Sequence, residues 1–172
     1  MNLFELFTQP APRQILPEGG NLNIGDAAKG ETVHAADEID LKVHKRSFII
    51  PILSKLLQDI NDAFEAQYQV PIWSQQLLAS KQFLGGSSLH FFNTQGISDQ
   101  QFASKKPKVG DIDTQCNKEL EAHIKEFLTN YTHKNIGDTT LLGFSSGNEQ
   151  YNALFEFQNP PIKIQIDFEF GR

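Results

Sequence analysis

The last third of the chain carries an alternation of apolar and polar residues that is typical of a β-strand. Residues 162–170 read IKIQIDFEF, so every second side chain is apolar. Successive side chains of a strand point to opposite faces of a sheet, and the apolar set therefore predicts a face packed on a core. Two further β-rich stretches, residues 139–145 and 151–158, come before it, and the turn-forming sequences SSGNEQ and NPP separate the three. This pattern predicts consecutive strands joined by short turns.

Helical periodicity dominates the region before these strands. Apolar residues recur there every three or four positions, which is the spacing of one helix face. The predicted helices span residues 51–68, 71–80 and 117–131. Pro51 is expected in the first turn of the first helix, where its missing N–H leaves no bond unmade. The second helix is expected to bury Leu77 and Leu78 together with Trp73.

The order of these elements predicts the fold class and the domain plan. A strand is predicted at residues 109–115, and the polar residues 93–108 before it are interpreted as a loop or insertion. Residues 1–45, rich in Pro, Gly, Asn and Ala, are predicted to form an extended N-terminal arm. Strands interleaved with helices and then a run of strands predict an α+β domain over residues 46–172, with a mixed β-sheet and flanking helices.

Composition limits the class of function. The 172 residues carry a formal charge of −6 with a pI near 5.3, which argues against a long basic track for nucleic acid. Cys116 is the single cysteine, so an internal disulfide and a cysteine-based metal site are excluded. The longest apolar run, residues 48–57, is too short and too polar to cross a bilayer. The N-terminus lacks the pattern of a signal peptide, and a cytoplasmic protein is expected.

The first chemical signal is the sequence VGDIDT at residues 109–114. On a strand, Asp111 and Asp113 project from one face while Ile112 points to the other. Two carboxylates that close repel each other unless a cation lies between them, and oxygen ligands of this kind suit Mg²⁺. An exposed acidic strand or surface loop is the alternative, since Asp-x-Asp alone is weak evidence.

The second signal is Asp167 in the alternating strand. Its side chain belongs to the polar face and would join Asp111 and Asp113 if the two strands are neighbours. Glu169 lies on the same predicted face and is the rival for the third carboxylate. A half-exposed strand with a polar outer face explains the pattern without any site.

The third signal is a small, glycine-rich turn followed by a helix. Gly85, Gly86, Ser87 and Ser88 follow the apolar pair FL and offer backbone N–H groups and hydroxyls to a phosphate. The alternative is an ordinary tight turn. Three lysines at positions 105, 106 and 108 precede the Asp-x-Asp strand; Lys106 in particular is a candidate phosphate ligand, although a solvated basic loop is equally consistent with it.

Taken in order, these motifs resemble the DNA polymerase β-like nucleotidyltransferases. The segments LGGSS, KKPKVGDIDT and IQIDFEFG, together with the opening MNLFELF, are similar to nucleotidyltransferases encoded by tailed bacteriophages. The resemblance covers about residues 82–171. It implies a polymerase β palm-like core in which Gly86 and Ser87 hold the triphosphate of a nucleotide. In that core Asp111 and Asp113 coordinate two Mg²⁺ or Mn²⁺ ions, and Asp167 completes the site beside the acceptor hydroxyl.

The resemblance implies metal-dependent transfer of a nucleoside monophosphate from an NTP to a hydroxyl, with release of pyrophosphate. The acceptor would be an RNA 3′ end, a protein side chain or a small molecule, in the host cytoplasm if the protein is phage-encoded. This sequence departs from the family in the 23 residues between Ser87 and Asp111 and in ending soon after Asp167. A missing C-terminal region or a protein partner would account for the second departure. The alternative function is a catalytically inactive protein of the same fold with a structural or virion-associated role, and a third is a toxin-like enzyme that modifies host RNA or protein.

Overall fold

A five-stranded mixed sheet organises the protein, whose computed structural model describes residues 23–24, 34–35, 38–93 and 95–171. In chain order the strands are β1 (Asn23–Ile24), β2 (His34–Ala35), β3 (Ile39–Asp40), β4 (Lys108–Val109), β5 (Asp111–Gln115), β6 (Asn135–Ile136), β7 (Thr139–Ser146), β8 (Gln150–Gln158) and β9 (Pro161–Glu169). The main sheet has the order β5-β9-β8-β7-β6. The β5–β9 pair is parallel and every other pair is antiparallel. The α+β class and the three C-terminal strands are thus as predicted.

Within the described residues, five helices accompany the sheet. They are α1 (Arg46–Tyr68), α2 (Gln75–Ser80), α3 (Gly86–Asn93), α4 (Asp99–Lys105) and α5 (Glu121–Tyr131), the last preceded by a short 3₁₀ turn. Apolar residues of α1 and α5 share one buried cluster with alternate residues of β5, β8 and β9. Because these strands bury that face under helices, the opposite face of β5 and β9 is left to polar side chains. None of the helices in the described ranges is long and apolar enough to cross a membrane.

Two details of the predicted helices are wrong. Helix α1 begins at Arg46, so Pro51 lies inside the helix and not in its first turn. The earlier start follows from contacts of the first turn, since Arg46 donates to the Phe91 carbonyl at 2.7 Å and Ser47 bonds to Asp99. In α2, Leu77 is 39% exposed while Leu78 and Trp73 are buried.

The segment 93–108 is not the loop that its polarity suggested. It contains α4, and Ser98 is the N-cap residue of this helix. Ser98 and Gln101 form a capping box, in which the Ser98 hydroxyl accepts from the Gln101 N–H and the Gln101 side chain accepts from the Ser98 N–H. Phe102 and Ala103 are buried and anchor the helix on the core. The extra residues between the glycine turn and β5 therefore form a packed helix, with the capping signal in the sequence SDQQ.

Most of the predicted N-terminal arm, residues 1–45, lies outside the described residues. The part that is described includes three short strands: β1 pairs with β2, and β3 pairs with β4. Leu41 is buried and its N–H donates to the Pro107 carbonyl at 2.8 Å. The end of this arm is therefore attached to the chain directly before β5.

Candidate metal centre

The parallel pairing of β5 with β9 brings three carboxylates together. Asp113 lies directly opposite Asp167 in this register, and Asp111 lies opposite Gln165. Side chains paired in this way point to the same face of the sheet, so all three acidic groups share the face away from the helical core. One carboxylate oxygen from each of Asp111, Asp113 and Asp167 lies within 4.8 Å of the other two. The convergence expected from the sequence is observed.

The three carboxylates are largely shielded from water, and one of their oxygens has no hydrogen-bond partner among the described residues. Asp167 is 2% exposed, and Asp111 and Asp113 are partly buried. The Asp111 Oδ2 atom is buried and has no hydrogen-bond partner among the residues that the structure describes. Burial, and then the neighbouring Asp167, raise the pKa of Asp111 to about 10. The same two causes raise the pKa of Asp113 to about 6. Three acidic groups held this close favour a proton or a cation between them.

Asp167 differs from its two neighbours because its carboxylate has strong donors. The Asn152 side chain donates to Asp167 Oδ1 at 2.7 Å, and the Gln165 side chain donates to the same atom at 2.8 Å. Both amides are buried, with exposures of 3% and 0%. These two donors come from neighbouring strands and fix the orientation of the Asp167 carboxylate.

Glu169, the predicted rival for the third ligand, is placed one step along the strand. It lies opposite Gln115, whose side-chain amide donates to Glu169 Oε1 at 2.7 Å. The group of three mutually close acidic side chains comprises Asp111, Asp113 and Asp167. Glu169 borders this group through its interaction with the Asp113 side chain.

The glycine turn packs against the outer edge of β5. The Gly85 N–H donates to the Asp113 carbonyl at 2.9 Å, and the buried Ser88 hydroxyl accepts from the Asp113 N–H at 2.9 Å. A Cβ built on Gly85 would lie 3.1 Å from the Asp113 Cβ, so a glycine fits this close approach. Gly85 and Ser88 therefore hold the carbonyl and the N–H of Asp113 in place.

Gly86 and Ser87 occupy a different position, because they are exposed at the start of α3. The first N–H groups of a helix have no partner within that helix and carry partial positive charge. A polar cavity of about 130 Å³ opens beside them. Ser87, Lys106, Lys108 and Asp111 are among its lining residues. Three of the predicted phosphate ligands, Ser87, Ser88 and Lys106, thus border one cavity with Asp111.

The residues present fit a divalent cation. Carboxylate oxygens are the donors that Mg²⁺ and Mn²⁺ prefer, and a cation between them would relieve the repulsion that raises the two pKa values. The buried and unpaired Asp111 Oδ2 offers a ligand atom with no competing hydrogen bond in the described structure. These are properties of the donor set, and they do not depend on any family assignment.

Two residues of the site were missed at the level of sequence. Gln165 was placed on the polar face with Asp167, but no role was inferred for it. Asn152 gave a weak signal, as the one uncharged polar residue within the sequence YNALF of a buried strand. Only the antiparallel register of β8 and β9, which sets Asn152 opposite Asp167, makes its role visible.

Comparison with protein-family models, with curated proteins and with solved structures finds no match for this chain.

Proposed function

We propose that the protein is a metal-dependent nucleotidyltransferase, which transfers a nucleoside monophosphate from an NTP to an acceptor hydroxyl and releases pyrophosphate. The observation that carries this proposal is the meeting of Asp111, Asp113 and Asp167 beside the exposed start of α3. Carboxylates for a divalent cation and N–H groups for phosphates are the two elements that phosphoryl transfer requires.

The strand plan also supports a polymerase β palm-like core. An Asp-x-Asp strand pairs in parallel with the strand of a third aspartate, and a Gly-Ser helix start bonds to the Asp-x-Asp strand. This is the arrangement that the motifs LGGSS, KKPKVGDIDT and IQIDFEFG imply through their resemblance to that superfamily. We assign the chain to it as part of the same proposal.

Each side chain has a role in binding. Asp111, Asp113 and Asp167 would hold Mg²⁺ or Mn²⁺, which when bound supplies a lowered pKa for an attacking hydroxyl and charge neutralisation on the phosphates. The N–H groups of Gly86 and Ser87 would cradle the triphosphate. Lys106 and Lys108, which line the same cavity as Ser87, would add positive charge there, because phosphate oxygens accept from lysine ammonium groups.

The transfer forms one phosphorus–oxygen bond and breaks another. The oxygen of the acceptor hydroxyl forms a bond to the α-phosphorus of the NTP, and the bond from that phosphorus to the oxygen bridging to the β-phosphate breaks. Pyrophosphate leaves with that oxygen, and the hydroxyl proton passes to a carboxylate of the site and then to solvent. Asp167 is suited to face the acceptor, since its amide partners keep its carboxylate oriented. The acceptor classes are an RNA 3′ end, a protein side chain and a small molecule.

The test is pyrophosphate release from each of the four NTPs with Mg²⁺ or Mn²⁺, with candidate acceptors added in turn. We expect release with at least one NTP, its loss on chelation of the cation, and a loss of more than about 100-fold in Asp113→Ala. The magnitude follows because outer partners of metal ligands alone are worth about 10–100-fold.

The matched control is Asp138→Ala, which removes an exposed aspartate distant in sequence from the site and should retain full activity. Equal activity in Asp113→Ala and wild type would contradict the proposal. Tight cation and nucleotide binding without any release would instead favour the catalytically inactive alternative, a binding protein of the same fold.

A further inference from the structure

We propose that Asn152 and Gln165 determine which divalent cation the site accepts, by restricting Asp167 to a single ligand oxygen. This inference rests on the proposed function, because it concerns the same carboxylates. It goes beyond that function in assigning cation selectivity to two amides that donate to the ligand side chain.

The hydrogen bonds at Asp167 leave one of its two oxygens for a cation. A carboxylate oxygen has two lone pairs, and both amide groups donate to the same oxygen, Oδ1, at 2.7 and 2.8 Å. A carboxylate only accepts hydrogen bonds, so the amides must present their N–H groups to it. With Oδ1 saturated in this way, Oδ2 is the oxygen that remains for a cation.

Burial of the two amides and of Asp167 holds the carboxylate in this orientation. Asn152, Gln165 and Asp167 are 3%, 0% and 2% exposed, so water is not at hand to replace a lost amide bond. Rotation of the Asp167 carboxylate would break both of these buried amide hydrogen bonds, at a cost of about 1–3 kcal/mol for each. Asn152 on β8 and Gln165 on β9 therefore fix the carboxylate from two strands.

Mg²⁺ and Ca²⁺ differ in how they use carboxylate oxygens. Mg²⁺ requires nearly octahedral ligands, and one oxygen from each carboxylate meets this requirement. Ca²⁺ takes six to eight oxygens and uses carboxylates with both oxygens bound. A carboxylate that offers only one oxygen thus favours Mg²⁺ and the similarly coordinated Mn²⁺ over Ca²⁺. The buried Asp111 Oδ2, which has no hydrogen-bond partner among the described residues, offers a further ligand oxygen beside Asp167.

The experiment is titration of the wild type, Asn152→Leu and Gln165→Met with Mg²⁺ and with Ca²⁺ by calorimetry. Each substitution keeps the branching or length of the side chain and removes the amide that donates to Asp167. We expect the Mg²⁺ affinity to fall by about 10-fold or more in each variant. Ca²⁺ affinity should fall by much less, so that the ratio of the two Kd values shifts toward Ca²⁺. Asn61→Ala, which removes a buried amide that bonds to Ile72 and Trp73, should lower Tm and leave that ratio unchanged.

The outcomes separate this inference from the proposed function. A wild type that binds neither cation overturns both. Binding with an unaltered ratio in the folded variants overturns the inference alone. A measurement without variants gives the same decision: in wild-type crystals soaked with Ca²⁺, ligation by Asp167 through Oδ2 only supports the inference, and ligation through both oxygens overturns it.

Discussion

Asp111→Asn is expected to be more stable than the wild type at pH 8 when no divalent cation is present. Burial and the neighbouring Asp167 raise the pKa of Asp111 to about 10, whereas the unfolded chain has a pKa near 4. A group whose pKa is raised by folding contributes stability below its unfolded pKa, and that contribution is lost as the pH rises toward the folded value. Asparagine has no charge to bury, so the variant escapes this loss.

The measurement is the Tm of both proteins in a chelating buffer from pH 3.5 to pH 9. We expect the two proteins to have similar Tm values near pH 3.5. Above pH 5 the Tm of the variant should exceed that of the wild type by a growing margin, at about 2–4 °C for each kcal/mol of stability in a domain of this size. With Mg²⁺ added, the wild type should gain Tm and the variant should gain little. Asp138→Asn, which removes the same charge from a 78% exposed side chain, should not show the pH-dependent advantage. If the variant is less stable than the wild type at pH 8, the burial of the Asp111 carboxylate beside Asp167 does not lower the stability of the fold.

Trp73→Ala is expected to have the largest destabilising effect. The indole is 1% exposed, lies 4.7 Å from the Phe83 ring and 6.2 Å from the Phe168 ring between centroids, and donates to the Gln115 carbonyl of β5 at 3.1 Å. Truncation of a fully buried aromatic costs about 3–5 kcal/mol through lost contacts and the cavity that remains. That is a large part of the roughly 5–15 kcal/mol by which a domain is stable.

Urea unfolding followed by circular dichroism measures this loss, because Trp73 is the only tryptophan and fluorescence disappears with it. Trp73→Phe keeps much of the packing and should lose clearly less. Phe48→Ala removes an aromatic ring that is 54% exposed on α1 and should change the free energy of unfolding by less than about 0.5 kcal/mol. A Trp73→Ala loss as small as that of Phe48→Ala would show that the indole does not support β5.

The site was predictable where a local pattern fixes direction. Alternation in a strand decides that Asp111 and Asp113 share a face, and that Asp167 belongs to the polar face of its own strand. Whether these two faces coincide depends on the pairing of β5 with β9, strands about fifty residues apart, and the sequence supplied that only as a hypothesis. The sequence contains no local signal for the register that aligns Asp113 with Asp167.

Features set by tertiary contacts were missed. The polarity of residues 93–108 concealed α4, because a helix with two buried residues and an exposed remainder has little apolar periodicity; the capping box was the available signal. The early start of α1 depends on Arg46 reaching α3, a contact across 45 residues. Asn152 could be assigned to Asp167 only from the β8–β9 register. Propensity and pattern describe elements, whereas these contacts arise from how elements pack.

The central claim is that Asp111, Asp113 and Asp167 share a divalent cation. It is tested most directly by the anomalous scattering of manganese in crystals of the wild type soaked with MnCl₂, with Asp113→Asn crystals treated identically. We expect an anomalous peak about 2.0–2.3 Å from an oxygen of each of the three carboxylates in the wild type, and a weaker or absent peak in the variant. A map without a peak at these carboxylates, at Mn²⁺ concentrations that occupy other sites on the same molecule, would contradict it.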